Sequence, residues 1–214
     1  MEIALLIIGS YFLGAIPFGL LIAKAHGIDL RKIGSGNIGA TNVSRALGKK
    51  WAYICFALDV GKGLAPMLVA AAVLPAEKNT YDLLLWLAVG IAAIVGHVLP
   101  IYLKFKGGKG VATSLGVVLG LWPYFTIPGL IIFVVWAICV IIWHYISLAS
   151  IVGAILFPIS VCAGIILRDD WNFATLWPLV VVASLLCIVI VLRHRDNIKR
   201  IIAGTESKVA MFAK

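Results

Sequence analysis

Val111-Ala112-Thr113-Ser114-Leu115-Gly116-Val117-Val118-Leu119-Gly120-Leu121-Trp122 is an apolar run of twelve residues, and its path decides the topology of everything around it. As a helix rising about 1.5 Å per residue it reaches roughly 18 Å, short of a hydrocarbon core of about 30 Å. It crosses only if it begins in the glycines before it or meets a locally thin bilayer. Six further runs are long enough unaided: Ile3 to Ala23, Trp51 to Leu74, Leu83 to Leu103, Tyr124 to Trp143, Ser147 to Leu167 and Phe173 to Leu192. Composition agrees with them. Of 214 residues 63% are apolar by type and 13% charged, with a mean hydropathy of +1.09, and soluble domains sit near roughly 45–50% and 25%. A soluble globule is excluded. Met1-Glu2 carries no basic n-region, so the first run reads as a retained span and not a cleaved signal.

Charge settles how the short run is read. If it crosses, segments 24–50, 104–109 and 193–214, with Asp59 and Lys62, share one side and hold sixteen of the eighteen cations with four acids, a sum of +12. The opposite side holds Lys78 and Arg168 against five acids, a sum of −3. The positive-inside rule then places the N-terminus outside and the C-terminus in the cytoplasm. A re-entrant fourth segment would put the six tail cations outside, against that rule. The expectation is an all-α polytopic membrane protein of seven transmembrane helices, the fourth short, forming one domain over 1–214. Trp51, Trp86, Trp122, Tyr124, Trp143, Tyr145, Trp171 and Trp177 fall at or near span ends, where amphipathic rings belong.

Three segments on the basic side carry more than charge. Gly34-Ser35-Gly36-Asn37-Ile38-Gly39-Ala40-Thr41-Asn42-Val43-Ser44-Arg45 combines closely spaced glycines, neutral donors and one guanidinium, the ingredients for wrapping an oxyanion; Ala40 to Leu47 reads as a short helix. Lys104-Phe105-Lys106-Gly107-Gly108-Lys109-Gly110 leads straight into the short run, with Thr113 and Ser114 in its first turn, and suits a phosphate at a helix N-terminus. It is not a Walker A loop, because Gly110 stands where Ser or Thr must follow the lysine. His194-Arg195-Asp196-Asn197-Ile198-Lys199-Arg200 continues the last span and puts His194, Asn197 and Ile201 on one helix face. Positive charge beside His194 favours a neutral imidazole able to accept a proton. For each segment the plainer reading is a turn, a juxtamembrane basic loop or a topology anchor.

Lesser features accompany them. Asp59 and Lys62, three apart in the second long run, can pair on one face and either neutralise each other or join the site. Ser147 opens the sixth span as a cap or a donor to ligand, and His97, three residues before Pro100, reads as a core histidine. Cys55, Cys139, Cys162 and Cys187 lie apart inside apolar runs, and no Cys/His cluster has metal-ligand spacing. Neither a metal nor a cofactor is expected.

GSGNIGATNVSRALGKK, GGKGVAT and HRDNIKR, in that order, closely resemble the three motifs of the bacterial PlsY family of acyl-phosphate:glycerol-3-phosphate acyltransferases. The resemblance implies transfer of a fatty acyl group from acyl phosphate to glycerol 3-phosphate at the cytoplasmic face of the inner membrane. The products are lysophosphatidic acid and phosphate. It implies these two substrates and membrane lipid as partners, with no nucleic acid. Carried over motif by motif, GGKGVAT (Gly107, Gly108, Lys109, Gly110 and Thr113) with Lys106 holds the donor phosphate. Ser35, Asn37, Asn42 and Arg45 meet glycerol 3-phosphate or the reacting carbonyl, and His194, Asn197 and Lys104 complete the acceptor pocket. Thr41, Ser147, Asp59, Lys62 and Arg195 are further substrate-binding candidates, and His194, Ser35, Arg45 and Asn197 the catalytic ones. The HxxxxD signature of other glycerolipid acyltransferases is absent, since Arg31, Tyr102, Ala149 and Lys199 stand five residues after the four histidines.

An acyl phosphate is already activated, so positioning and neutralising two anions supplies most of the rate. No cysteine or Ser-His-Asp trio lies in the motifs, and direct attack without an acyl-enzyme is expected. The attacking hydroxyl has two candidate proton acceptors, His194 and a substrate phosphate of pKa about 6. A transporter of an anionic metabolite is the alternative, opposed by the scarcity of polar groups at mid-membrane. A CDP-alcohol phosphotransferase lacks its carboxylate-rich metal motif here. The reading requires Ser35, Lys109 and His194 to meet on one leaflet.

Overall fold

The computed structural model describes residues 1–75 and 77–209. Among them are ten α-helices and two short 3-10 turns, with no strand. Six apolar segments are long enough to cross a membrane: Glu2–Ala25, Lys49–Val73, Thr80–Leu103, Thr126–Trp143, Ile146–Leu167 and Phe173–Arg193, with the shorter apolar helix Val111–Gly120 besides. The chain is an all-α polytopic membrane protein. It divides into two compact units, Met1–Leu121 and Trp122–Lys214.

In the first unit the opening span is not one helix. α1 (Glu2–Ala15) ends at Ile16 and α2 (Phe18–Ala25) begins after Pro17. Proline carries no N–H and its ring clashes with a helical carbonyl, so the ladder stops there; the first span, expected over Ile3 to Ala23 and found as Glu2–Ala25, is therefore built of two helices. α3 (Ala40–Leu47) matches the short helix expected in the first motif, followed by α4 (Lys49–Val73), α5 (Thr80–Val98) and α6 (Val111–Gly120). α5 starts on a capping box in which Asn79 accepts from the Asp82 N–H and Asp82 from that of Asn79.

Helices in lipid associate through small residues that let backbones approach. A Cβ on Gly14 of α1 would lie 2.1 Å from the Ala93 carbonyl oxygen of α5, and one on Gly96 of α5 would lie 2.2 Å from that of Tyr11. α4 and α6 pair the same way: a Cβ on Gly63 would meet the Thr113 oxygen at 2.2 Å, and one on Gly116 the Val60 oxygen at 2.1 Å. The Ser10 hydroxyl adds a bond to the Val89 carbonyl, and the Trp86 indole N–H one to that of Met67. Beneath the first motif, Ala23, Leu30, Val43 and Cys55 form a buried apolar cluster joining α2, α3 and α4.

The second unit contains α7 (Thr126–Trp143), α8 (Ile146–Leu167), α9 (Phe173–Arg193) and α10 (Arg195–Ile202). α8 packs on both α7 and α9, with Phe125 edge-on to Phe157. The third motif does not extend the last span, as the pattern predicted. The chain bends at His194 (φ −102, ψ 6) and restarts as α10.

Candidate active site

The first motif is built around Asn42, which is 1% exposed. Its amide N–H groups donate to the carbonyls of Leu30 and Ile33, and its oxygen accepts from the Ser35 N–H, each at 3.0 Å. These three bonds make Asn42 the internal brace of the loop. Asn37 makes a tighter turn, its side-chain oxygen accepting from the Gly39 N–H at 2.9 Å. Gly34 and Gly36 have φ of +56 and +67, which glycine adopts without the penalty of a Cβ. The loop so fixed leaves Ser35, Thr41 and Arg45 exposed.

The second motif follows a 3-10 turn at Ile101–Leu103. Lys104 and Phe105 both adopt left-handed backbone, φ +52 and +61, a conformation costing about 1–3 kcal/mol in a non-glycine residue and concentrated at functional sites. Lys104 and Lys106 are exposed and Lys109 is half-buried. Gly110, φ +87, is the N-cap of α6. In the first turn of that helix the hydroxyls of Thr113 and Ser114 are buried without a protein hydrogen-bond partner. Arg31 joins this loop to the first, its guanidinium donating to the Lys106 carbonyl at 3.2 Å.

Asp59 and Lys62 pair as their spacing predicts, at 2.7 Å and almost fully buried. The Lys62 ammonium also donates to the Ile16 carbonyl at 2.8 Å, at the break in the first span. The charges of this pair are thus engaged by each other and by the frame. His97 Nδ1 lies 3.7 Å from the same Asp59 oxygen.

In the second unit, His194 is 3% exposed and its Nδ1 lies 2.7 Å from the Ile190 carbonyl. A carbonyl only accepts, so Nδ1 carries the hydrogen, and the basic lone pair of the neutral ring is on Nε2. Asn197 and Ser147 both donate to one oxygen of Glu206, at 2.6 and 2.7 Å, and Arg200 donates to the other at 2.7 Å. Burial pushes the Glu206 carboxyl up, but these hydrogen bonds and the Arg200 charge outweigh it and hold it below the ordinary range. Arg195 is exposed, 3.9 Å from Asp196.

A family model described as glycerol-3-phosphate acyltransferase matches residues 4–204. The chain belongs to the glycerol-3-phosphate acyltransferase family. A relative of that name from Geotalea daltonii is 43% identical over 203 residues, covering 94% of this chain and 95% of its own. Two crystal structures of PlsY, an integral membrane glycerol 3-phosphate acyltransferase, superpose with TM-scores of 0.82. One is a glycerol 3-phosphate form, 38% identical, and the other a lysophosphatidic acid form, 36% identical; each match covers 98% of this chain and 96% of the other. Membership makes the protein an acyltransferase enzyme of phospholipid synthesis.

Within this acyltransferase, two residues escaped the motif reading. Arg31 was visible only as one cation among many, and its target is a carbonyl 75 residues away. Glu206 was visible only as an acid in a basic tail, although an acid there invites a partner.

Proposed function

We propose that the enzyme moves a fatty acyl group from acyl phosphate to glycerol 3-phosphate, releasing phosphate and lysophosphatidic acid, at the cytoplasmic face of the inner membrane. The observation that carries this reading is the pair of glycine loops in the first unit, locked together by Arg31 and presenting Ser35, Arg45, Lys104 and Lys106 at the surface. Two anionic head groups need such a cluster, and the acyl chain needs the adjoining lipid. The loop 106–110 suits the donor phosphate: it ends at a helix N-terminus, whose dipole and N–H groups favour an anion. The buried Thr113 and Ser114 hydroxyls add two donors in the same turn. Ser35 and Arg45 suit the acceptor phosphate or the reacting carbonyl. His194 and Asn197 suit the attacking hydroxyl of the acceptor. Asn37, Thr41 and Arg195 assist at the periphery, and Asn42 and Ser147 by holding the motifs in shape.

The reaction is direct. A glycerol 3-phosphate oxygen bonds to the acyl carbon, the bond from that carbon to the phosphate oxygen breaks, and the hydroxyl proton passes to a base. Transport of an anionic metabolite gains no support from the relatives.

Purified protein with chelator, synthetic acyl phosphate and glycerol 3-phosphate tests the proposal. Phosphate release that depends on glycerol 3-phosphate and matches lysophosphatidic acid mole for mole is expected; release without acceptor, or transfer only from acyl-CoA, refutes it. In the same assay, removal of a general base by His194→Ala lowers kcat by about 100-fold or more. Turnover near wild type at saturating substrates instead assigns the proton to a substrate phosphate.

A further inference from the structure

The glycine loop that opens α6 has few side chains of its own to fix its shape, yet binding a phosphate through backbone N–H groups demands placement to a fraction of an ångström. Arg31 holds its first residue through the Lys106 carbonyl, and His97 lies under its two central glycines. The Gly108 N–H donates to the His97 carbonyl at 3.1 Å. A Cβ on Gly108 would fall 2.2 Å from Nε2 of the same histidine, and one on Gly107 2.2 Å from its carbonyl oxygen. The loop therefore lies on His97: at Gly108 the imidazole occupies the space a side chain would need, and at Gly107 the His97 carbonyl does so together with Pro100 and Val98.

The ring that forms this seat is 5% exposed, and its other nitrogen faces the buried carboxylate of Asp59 at 3.7 Å. Asp59 is held by Lys62, and Lys62 by the Ile16 carbonyl at the break in the first span, which also accepts from the Phe18 N–H at 3.2 Å. A continuous line of contacts runs from the break in the first span through two buried charges and one imidazole to the backbone of the loop. An ion pair buried among apolar helices that only neutralised itself would need no third group aimed at it and no broken helix to anchor it.

We propose that His97 is a positioning residue for the loop 106–110, oriented by the Asp59–Lys62 pair, and that it sets the affinity for the acyl donor. The assignment to the donor rests on the functional reading above; the positioning role rests on the contacts alone.

A double-mutant cycle on the full-length enzyme in detergent separates the two. His97→Ala removes the seat and Gly108→Ala pushes the loop off it. Each is expected to raise KM for a synthetic long-chain acyl phosphate about tenfold or more while kcat changes less than about threefold. Because both variants break one contact, the double variant should lie within about twofold of the worse single. Losses that multiply, to about 100-fold, overturn the proposal, since they show two independent sites. If the coupled loss falls on glycerol 3-phosphate, the donor assignment fails and the positioning role stands. Should His97→Ala not fold, His97→Asn keeps a polar atom toward Asp59 while withdrawing the ring from Gly108; an unchanged acyl-phosphate KM in that variant also overturns the proposal.

Discussion

The carboxylate of Glu206 gathers Ser147 of α8 and Asn197 and Arg200 of α10, so one acid ties the chain after α10 to α8 and to the helix that follows His194. Hydrogen bonds to an ionised group contribute about 1.5–3 kcal/mol each and leave their donors unsatisfied when removed. Glu206→Gln keeps the shape and loses the charge. We expect it to melt roughly 5 °C or more below wild type at neutral pH, on the scale of about 2–4 °C per kcal/mol for a chain of this size. The pH dependence has a definite sign. A carboxyl whose folded pKa is depressed contributes its full stabilisation above the unfolded value, ordinarily about 4.3. That contribution fades as pH falls below it and is gone once pH passes the lower folded value. The gap in melting temperature between wild type and Glu206→Gln should therefore close in acid; a gap that stays constant would mean the charge is not its source.

At the scale of elements, α4 offers a controlled comparison within a single turn. A Cβ on Gly61 meets nothing within 4 Å, whereas one on Gly63 would lie 2.2 Å from a backbone oxygen of α6 that has no room to move aside. Gly61→Ala should raise the melting temperature slightly, because alanine in an exposed helix is favoured over glycine by about 1 kcal/mol. Gly63→Ala should lower it by about 5 °C or more by prising α4 from α6, a steric penalty of about 1–3 kcal/mol. Equal melting temperatures for the two would show that α4 and α6 do not meet through Gly63. The same helices show what was legible beforehand. Apolar runs marked the spans within a few residues, and the glycine and hydroxyl pattern of 34–50 marked α3, because burial in lipid and turn chemistry are written locally. The break at Pro17 was not read, since the residues around it are uniformly apolar and the ammonium that satisfies Ile16 lies 46 residues on. The inward turn of Asn42 was likewise hidden. An amide beside glycines reads equally as ligand or brace, and its partners at Leu30 and Ile33 decide between them only once the chain has folded. His194 was legible as a singular residue, but not as a bend, because nothing in HRDNIKR disfavours a continuous helix.

For the molecule as a whole, the helix that opened the question is ten residues long, about 15 Å, half of a hydrocarbon core of roughly 30 Å. Its length does not forbid passage. Irregular backbone is tolerated at membrane depth where protein covers it, and α6 is covered by α4 at Gly63 and Gly116 and preceded by a loop seated on His97. If α6 with its flanking segments counts as a crossing, the chain crosses seven times, and the basic segments before and after it share a side. If it turns back, the six cations of the tail emerge on the side opposite segment 24–50, against the positive-inside rule. Impermeant maleimide labelling of intact spheroplasts distinguishes these cases, with the four native cysteines replaced and a single cysteine introduced at one exposed position at a time. We expect Glu77→Cys and Asp169→Cys to label in intact spheroplasts, and Lys32→Cys and Lys208→Cys only after permeabilisation, as the concentration of cations on one face requires. Labelling of Lys208→Cys in intact spheroplasts, with Lys32→Cys protected, would return the short helix to a re-entrant loop and overturn the seven-crossing topology.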